Sequence, residues 1–114
     1  MILYLGDGVK NEYGIQLDQY GYAPSVVQDD MSCCYLTFTS FDKLDRHEIF
    51  HGPYRDKSKR LGLWVLLSHD VHMRLHQQSA EMDRQLKRIG QQIAMNHYGW
   101  SKDDFIKQFG KNYL

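Results

Sequence analysis

Two stretches of this 114-residue chain decide its fold: Arg46-His47-Glu48-Ile49-Phe50 and His72-Met73-Arg74-Leu75-His76. The first predicts a strand. The second predicts a helix, and positions i and i+4 of a helix lie on one face, so His72 and His76 would present two imidazoles side by side. Two histidines on one helical face with a third ligand from elsewhere commonly hold a divalent metal ion. Because His47 lies near the end of the strand, we predict that it is the third ligand.

The segments around these stretches form a strand–loop–strand–helix unit. Leu61 to Leu67 is a strongly apolar run, which predicts a buried strand. Ser68 is a suitable N-cap, and Asp70 would lie in the first helical turn, where the helix dipole favours an acid. In chain order we predict a strand over 44–50, a polar segment without regular structure over 51–60 because of Gly52-Pro53, a buried strand over 61–67, and a helix that starts near His69.

The C-terminal part predicts two further helices. Apolar residues at spacings of four, three and four indicate an amphipathic helix over about 79–97, ended by Gly99. Ser101 followed by Asp104 predicts a capping box for a final helix over 102–109. An apolar face left uncovered on the long helix would support a homodimer. The residues expected in the core on the long helix are Met82, Leu86, Ile89 and Ile93.

The composition is that of a globular protein and not of a disordered or membrane-spanning chain, since 42% of the residues are hydrophobic and no apolar run reaches the length of a span. We therefore expect a soluble, cytoplasmic protein. The order of predicted strands and helices makes it an α+β domain. Charge is unevenly distributed: residues 1–42 hold one lysine and six acids, whereas residues 43–114 hold thirteen basic and eight acidic residues. This asymmetry makes an anionic partner worth considering for the basic half, although charges that merely solvate helix faces would look the same.

The first 32 residues form an N-terminal extension to which we assign no function. Residues 2–5 could be a strand ended by the turn signal Gly6-Asp7-Gly8, and the tyrosines and glycines that follow indicate irregular structure or a hairpin. The two cysteines, Cys33 and Cys34, are adjacent in sequence, so they provide no disulfide framework, and a structural zinc site of four cysteines is excluded. They are expected to be small buried residues.

The segment RHEIFHGPYRDKSKRLGLWVLLSHDVHMRLH, followed by an amphipathic helix and the ending FGKNYL, resembles a family of small phage-encoded HNH (His-Me finger) endonuclease-like proteins. The resemblance covers residues 33–114. It implies a ββα-metal core with an N-terminal extension and two C-terminal helices. It also implies metal-dependent cleavage of DNA phosphodiester bonds in phage DNA processing or recombination, and hence a location in the host-cell cytoplasm.

Carried over position by position, the resemblance implies that His47, His72 and His76 bind one divalent metal ion, which could be Mg, Mn, Ni or Zn. Glu48 occupies the place where HNH nucleases usually keep the general-base histidine, so Glu48 and His47 are the implied catalytic residues. Two alternatives stay open: Glu48 could be a fourth ligand, and His51 or His69 could be the base.

Many relatives support this core with a zinc knuckle of two CxxC pairs. At those positions the chain has Cys34 and Thr37, then Ser68 and Val71, so we expect the knuckle to be degenerate and packing to replace the zinc.

DNA is the expected partner, and five cations are the expected phosphate-binding residues. An alternative function is a catalytically inactive HNH-like module that binds DNA or a protein. A metal-free structural domain would follow if the three histidines did not converge. The expected DNA-binding residues are Arg46, Arg55, Lys57, Lys59 and Arg60.

Overall fold

The computed structural model describes residues 9–40 and 43–114. Within these ranges the chain is an α+β protein with a two-stranded antiparallel sheet and four α-helices. The strand expected over residues 2–5 and its turn lie outside the described residues. In chain order the elements are β1 (Leu44–Glu48), a 3₁₀ turn (Gly52–Tyr54), α1 (Arg55–Arg60), β2 (Trp64–Ser68), α2 (His69–Gln78), α3 (Ala80–Tyr98) and α4 (Lys102–Phe109).

The predicted strands and helices are found with small shifts at their ends. β1 stops at Glu48 and not at Phe50, although the amide of Ile49 still donates to the Leu63 carbonyl at 3.0 Å. The positive φ of Gly52 then turns the chain into the 3₁₀ segment. Ser68 caps α2 as predicted, and its hydroxyl accepts from the Val71 amide at 3.4 Å.

The segment 51–60 differs from the prediction of irregular structure. Pro53 occupies the first turn of the 3₁₀ segment, where a missing N–H costs nothing and its fixed φ favours helical geometry. The helix α1 follows, with Asp56 in its first turn and cations in its last. Ser58 fastens this helix to the end of β1, because its buried hydroxyl donates to the Phe50 carbonyl at 2.6 Å and accepts from the Phe50 amide at 3.1 Å.

The buried face of α3 is confirmed in part: Leu86 is buried as predicted and Met82 packs against the core, but the rest of the face is shifted. Ile89, expected in the core, is 39% exposed, whereas Gly90 and Ala94 are buried. The reason is close packing: a Cβ on Gly90 would lie 2.9 Å from Cγ2 of Ile49 and 3.2 Å from the Phe50 ring. Glycine therefore lets the helix axis approach the segment that follows β1. The core lies between the sheet and the helices and is built from Cys34, Ile49, Phe50, Leu61, Leu63, Val65, Leu67, Val71, Leu75, Leu86, Ala94, Phe105 and Phe109.

The capping box of α4 is present, with Ser101 and Asp104 each accepting from the other's backbone amide at 3.0 and 2.9 Å. The C-terminal tail then returns to α3. The side chain of buried Gln91 accepts from the Tyr113 amide at 2.6 Å and donates to the Asn112 side chain at 2.7 Å. Within the described ranges, no helix is both long and apolar enough to cross a membrane.

Candidate metal centre

The sheet and α2 together bring the three predicted histidines to one place. β1 pairs antiparallel with β2, and His47 lies opposite Val65. β2 runs without a loop into α2, so the helix starts beside the strand that carries His47. One turn separates His72 from His76 on α2, and both rings meet the His47 ring edge-on, with centroid separations of 5.3 and 5.4 Å.

The ring nitrogens converge closely enough for one ion. One nitrogen from each of His47, His72 and His76 lies within 4.8 Å of the other two. The Nε2 atoms of His72 and His76 are 3.1 Å apart. A tetrahedral ion bound at about 2.0–2.1 Å holds its ligand nitrogens about 3.3 Å apart, which the separation between His72 and His76 matches closely.

A ring nitrogen of His47 is buried without a hydrogen-bond partner in the described part of the chain. The residue is 2% exposed, and its buried Nε2 has no hydrogen-bond partner within residues 9–40 and 43–114. Buried polar atoms are nearly always paired, so an unpaired one needs an explanation. Burial, reinforced by the neighbouring His72 and His76, lowers the pKa of His47 to about 3. The imidazole is therefore neutral at physiological pH, which is the form that binds metals.

Asp45 is a residue of this centre that the sequence analysis missed. Its Oδ2 lies 3.1 Å from Nδ1 of His72 and 2.7 Å from Nδ1 of His69. A carboxylate on one nitrogen of a histidine fixes its tautomer and leaves the other nitrogen free for a metal. Asp45 lies two residues before His47, on the same face of β1, so strand alternation was the signal that could have identified it.

Glu48 is not brought into the three-histidine group. Successive strand residues point to opposite faces, and Glu48 lies on the face away from His47. Its carboxylate accepts from the Tyr22 hydroxyl and, at 2.8 Å, from Nε of Arg55. Burial, followed by the hydrogen bond to Glu48, raises the pKa of Tyr22 to about 12, so Tyr22 remains a donor.

Of the two alternative bases, His51 lies next to the three histidines, whereas His69 contacts Asp45. The His51 ring is 6.0 Å from the His47 ring and 5.7 Å from the His76 ring, measured between centroids. Its Nε2 lies 3.0 Å from Oδ1 of Asp83, on α3. His69 is exposed and shares Asp45 with His72.

The five cations expected to bind DNA all have partners within the chain. Arg46 pairs with Asp18 at 3.0 Å and lies over the Tyr22 ring. Three more are bound through polar groups: Arg55 to Glu48 at 2.8 Å, Arg60 to Glu12 at 3.3 Å, and Lys57 to the Gln108 carbonyl at 2.8 Å. The Lys59 ammonium is 4.8 Å from the Tyr22 ring centroid. Acids of the N-terminal extension thus neutralise part of the basic half.

Cys34, Thr37 and Ser68, which the resemblance aligns with knuckle positions, lie together. Burial raises the pKa of the Cys34 thiol, but hydrogen bonds from the Thr37 hydroxyl and from the backbone at Ser68, Thr37 and Leu36 more than offset this, so the pKa lies below its usual value. Cys34 is fully buried as expected, whereas Cys33 is only half-buried. Backbone N–H groups therefore surround a single sulfur at this point.

Comparison with known proteins adds no family to this picture. No protein-family model matches the chain. No curated protein and no solved structure matches it either.

Proposed function

We propose that this protein is a metal-dependent endonuclease that cleaves DNA phosphodiester bonds, with a ββα-metal core formed by β1, β2 and α2. The observation that carries the proposal is the convergence of one ring nitrogen from each of His47, His72 and His76, and the buried, unpaired Nε2 of His47 supports it. The resemblance of residues 33–114 to small phage-encoded HNH-like proteins supplies the substrate class and the role in phage DNA processing or recombination.

The donor set fits a single divalent ion. Three neutral imidazoles suit Zn or Ni better than Mg, and three protein ligands leave a coordination position open for substrate or water. When bound, the ion supplies Lewis-acid stabilisation of charge on the phosphate and on the leaving 3′ oxygen. His47 holds its place through burial, and Asp45 orients His72, so the chain presents the ligands in a fixed arrangement.

The cations near α1 bind the DNA backbone in this proposal. Arg55 is the most suitable of them, since its side chain is 61% exposed although its Nε bonds Glu48. Glu48 is then a positioning residue that orients the Arg55 guanidinium towards phosphate. Contacts of this kind set affinity and register without reading base sequence.

The test combines metal titration with plasmid nicking. Wild type, His47→Ala, His76→Ala and the control His97→Ala are each assayed with Mg, Mn, Ni or Zn. His97 is exposed near the end of α3, so its loss removes an imidazole away from the centre. We expect cutting and tight metal binding in the wild type and the control only. His76 is exposed, so its substitution is expected to preserve folding if His47→Ala does not.

A catalytically inactive DNA- or protein-binding module is the second candidate. The placement of Glu48 on the face away from the histidines favours it, because the position of the family's general base then contributes nothing to the centre. Metal binding without cutting by any wild-type preparation, combined with DNA retention in a low-salt shift assay, would establish this alternative.

A further inference from the structure

A cleft opens beside the three histidines, between the end of α2 and the start of α3. His51, His76 and Asp83 lie along it together with Leu75, Gln77, Gln78, Ser79 and Ala80. His76 is exposed and lines this cleft with His51, so the cleft gives solvent access to the group at its His76 side. A reacting water molecule would therefore approach past His51.

His51 is held by a chain of polar contacts that the sequence did not reveal. Its Nε2 lies 3.0 Å from Oδ1 of Asp83, and Oδ2 of the same carboxylate lies 2.9 Å from the Lys87 ammonium. Lys87 and Asp83 are one turn apart on α3, and their side chains are 17% and 24% exposed. The pair therefore forms a largely shielded support for the ring.

The contact with Asp83 determines which nitrogen of His51 can accept a proton. A carboxylate accepts hydrogen bonds and does not donate them, so Nε2 must carry the hydrogen. In the neutral ring Nδ1 then has a free lone pair, and within residues 9–40 and 43–114 the bond to Asp83 is the one hydrogen bond this ring makes. A histidine oriented by an acid is the arrangement that activates nucleophiles in many hydrolases.

The other two groups that could act as the base are less well placed. Both carboxylate oxygens of Glu48 are engaged, by Tyr22 and by Arg55, on the opposite face of β1. Nδ1 of His69 is bound to Asp45 at 2.7 Å, and His69 is not among the residues that line the cleft. Neither group contacts the cleft.

We propose that His51, oriented by Asp83, is the catalytic residue that takes the proton from the attacking water; this inference rests on the nuclease function proposed above. The water forms a new bond to phosphorus as its O–H bond breaks and the proton passes to Nδ1 of His51. The bond from phosphorus to the 3′ oxygen breaks, and the leaving oxygen takes a proton from solvent. No oxidant, reductant or further reactant is needed.

The experiment compares wild type, His51→Ala, Asp83→Asn and the matched control His97→Ala. His97→Ala removes another exposed histidine, which lies near the end of α3 and away from the centre. Single-turnover nicking, metal affinity by calorimetry with Zn or Ni alone, and ¹⁵N NMR of the ring nitrogens are measured on each. We expect His51→Ala to cut about 10²–10⁴-fold more slowly, with metal affinity within about threefold of wild type. Added imidazole should restore part of the lost rate.

The NMR readout does not depend on activity. His51 should be the Nε2–H tautomer in the wild type, and this preference should weaken in Asp83→Asn. An unchanged nicking rate in His51→Ala, a rate loss that matches a loss of metal, or an Nδ1–H tautomer in the wild type would each overturn the proposal. Failure of the nuclease function itself would appear differently, as a wild type that does not cut, and it would overturn both proposals.

Discussion

Oδ2 of Asp45 lies 3.1 Å from Nδ1 of His72, while Nε2 of the same ring lies 3.1 Å from Nε2 of His76. The imidazole is thus bound on one side by a carboxylate and faces a second histidine with the other. Carboxylate–histidine–metal triads have this arrangement, in which the acid selects the tautomer and increases the basicity of the ligand. Asp45 also contacts His69, so one acid supports two rings.

Replacing Asp45 should therefore weaken metal binding without removing a ligand. We expect Asp45→Asn to lower Zn or Ni affinity by about 10–100-fold, because the ring of His72 loses its fixed tautomer. Competition titration with a chelating dye measures the effect. Asp70→Asn is the control, since Asp70 is an exposed acid of α2 paired with Arg74. Equal affinities for wild type and Asp45→Asn would show that Asp45 does not act on the metal centre.

The burial of His47 predicts a pH dependence of stability in the metal-free protein. Its pKa is about 3 in the folded chain against 6.5 for the free side chain, so between these values the unfolded chain binds more protons. The free energy of unfolding therefore rises with pH across this window. Protonation of His47 in the unfolded chain destabilises the folded protein fully below pH 3 and not at all above about 6.5. The change is on the order of 5 kcal/mol for one group.

Urea unfolding of wild type and His47→Leu at several pH values between 3 and 7 tests this. The carboxylates titrate in both proteins, so the difference between the two free energies of unfolding isolates His47. We expect the difference to shift in favour of His47→Leu as pH falls. A difference that is constant with pH would mean that His47 is not buried as a neutral imidazole.

The histidine cluster could be predicted because its information is local. The spacing of His72 and His76 determines a shared helical face, and the apolar run before Ser68 places that helix after a strand. The alternation of side chains along a strand would likewise have placed Glu48 on the opposite face of β1 from His47, and Asp45 on the same face as His47. The family resemblance instead directed attention to Glu48 because it follows His47.

The supporting contacts could not be predicted, because each joins residues far apart in sequence. Asp83 is 32 residues from His51, and Asp18 is 28 residues from Arg46. No periodicity indicates such pairs. The prediction that Ile89 lies in the core was wrong for a different reason. Apolar periodicity selects large side chains such as Ile89, whereas the close approach of α3 to Ile49 requires a residue without a side chain, which is Gly90.

The pairing of Arg60 with Glu12 leads to a prediction about DNA binding. If the cations near α1 bind phosphate, Glu12 competes with DNA for Arg60, because the two side chains are 3.3 Å apart and both are partly exposed. Glu12→Gln should then raise non-specific DNA affinity. It should also steepen the slope of log affinity against log salt by up to about 0.9, the value for one added phosphate contact.

Fluorescence anisotropy with a short duplex at several salt concentrations measures both quantities. Asp103→Asn is the matched control, as it removes one exposed acid in α4 and changes net charge equally. If the two variants gained the same affinity, the effect would be one of net charge, and the surface around α1 would not be the DNA-binding surface.

Gly90 offers a test of how α3 is held against the segment that carries the site. A methyl group at position 90 would meet Cγ2 of Ile49 at 2.9 Å and the Phe50 ring at 3.2 Å, and these residues lie between His47 and His51 in the chain. Helix propensity alone would favour Gly90→Ala by up to about 1 kcal/mol. Overpacking of a tight contact costs about 1–3 kcal/mol, so we expect a net loss of stability.

The displacement should also affect the site. Moving α3 away from Ile49 and Phe50 would move Asp83 away from His51, because Asp83 lies on the same helix as Gly90. We therefore expect Gly90→Ala to lower the free energy of unfolding and to weaken the Nε2–H tautomer preference of His51. Urea unfolding and ¹⁵N NMR measure these. Gln92→Ala, at an exposed position of α3, controls for helix propensity. A Gly90→Ala protein as stable as this control would show that Ile49 and Phe50 accommodate the added methyl group without strain.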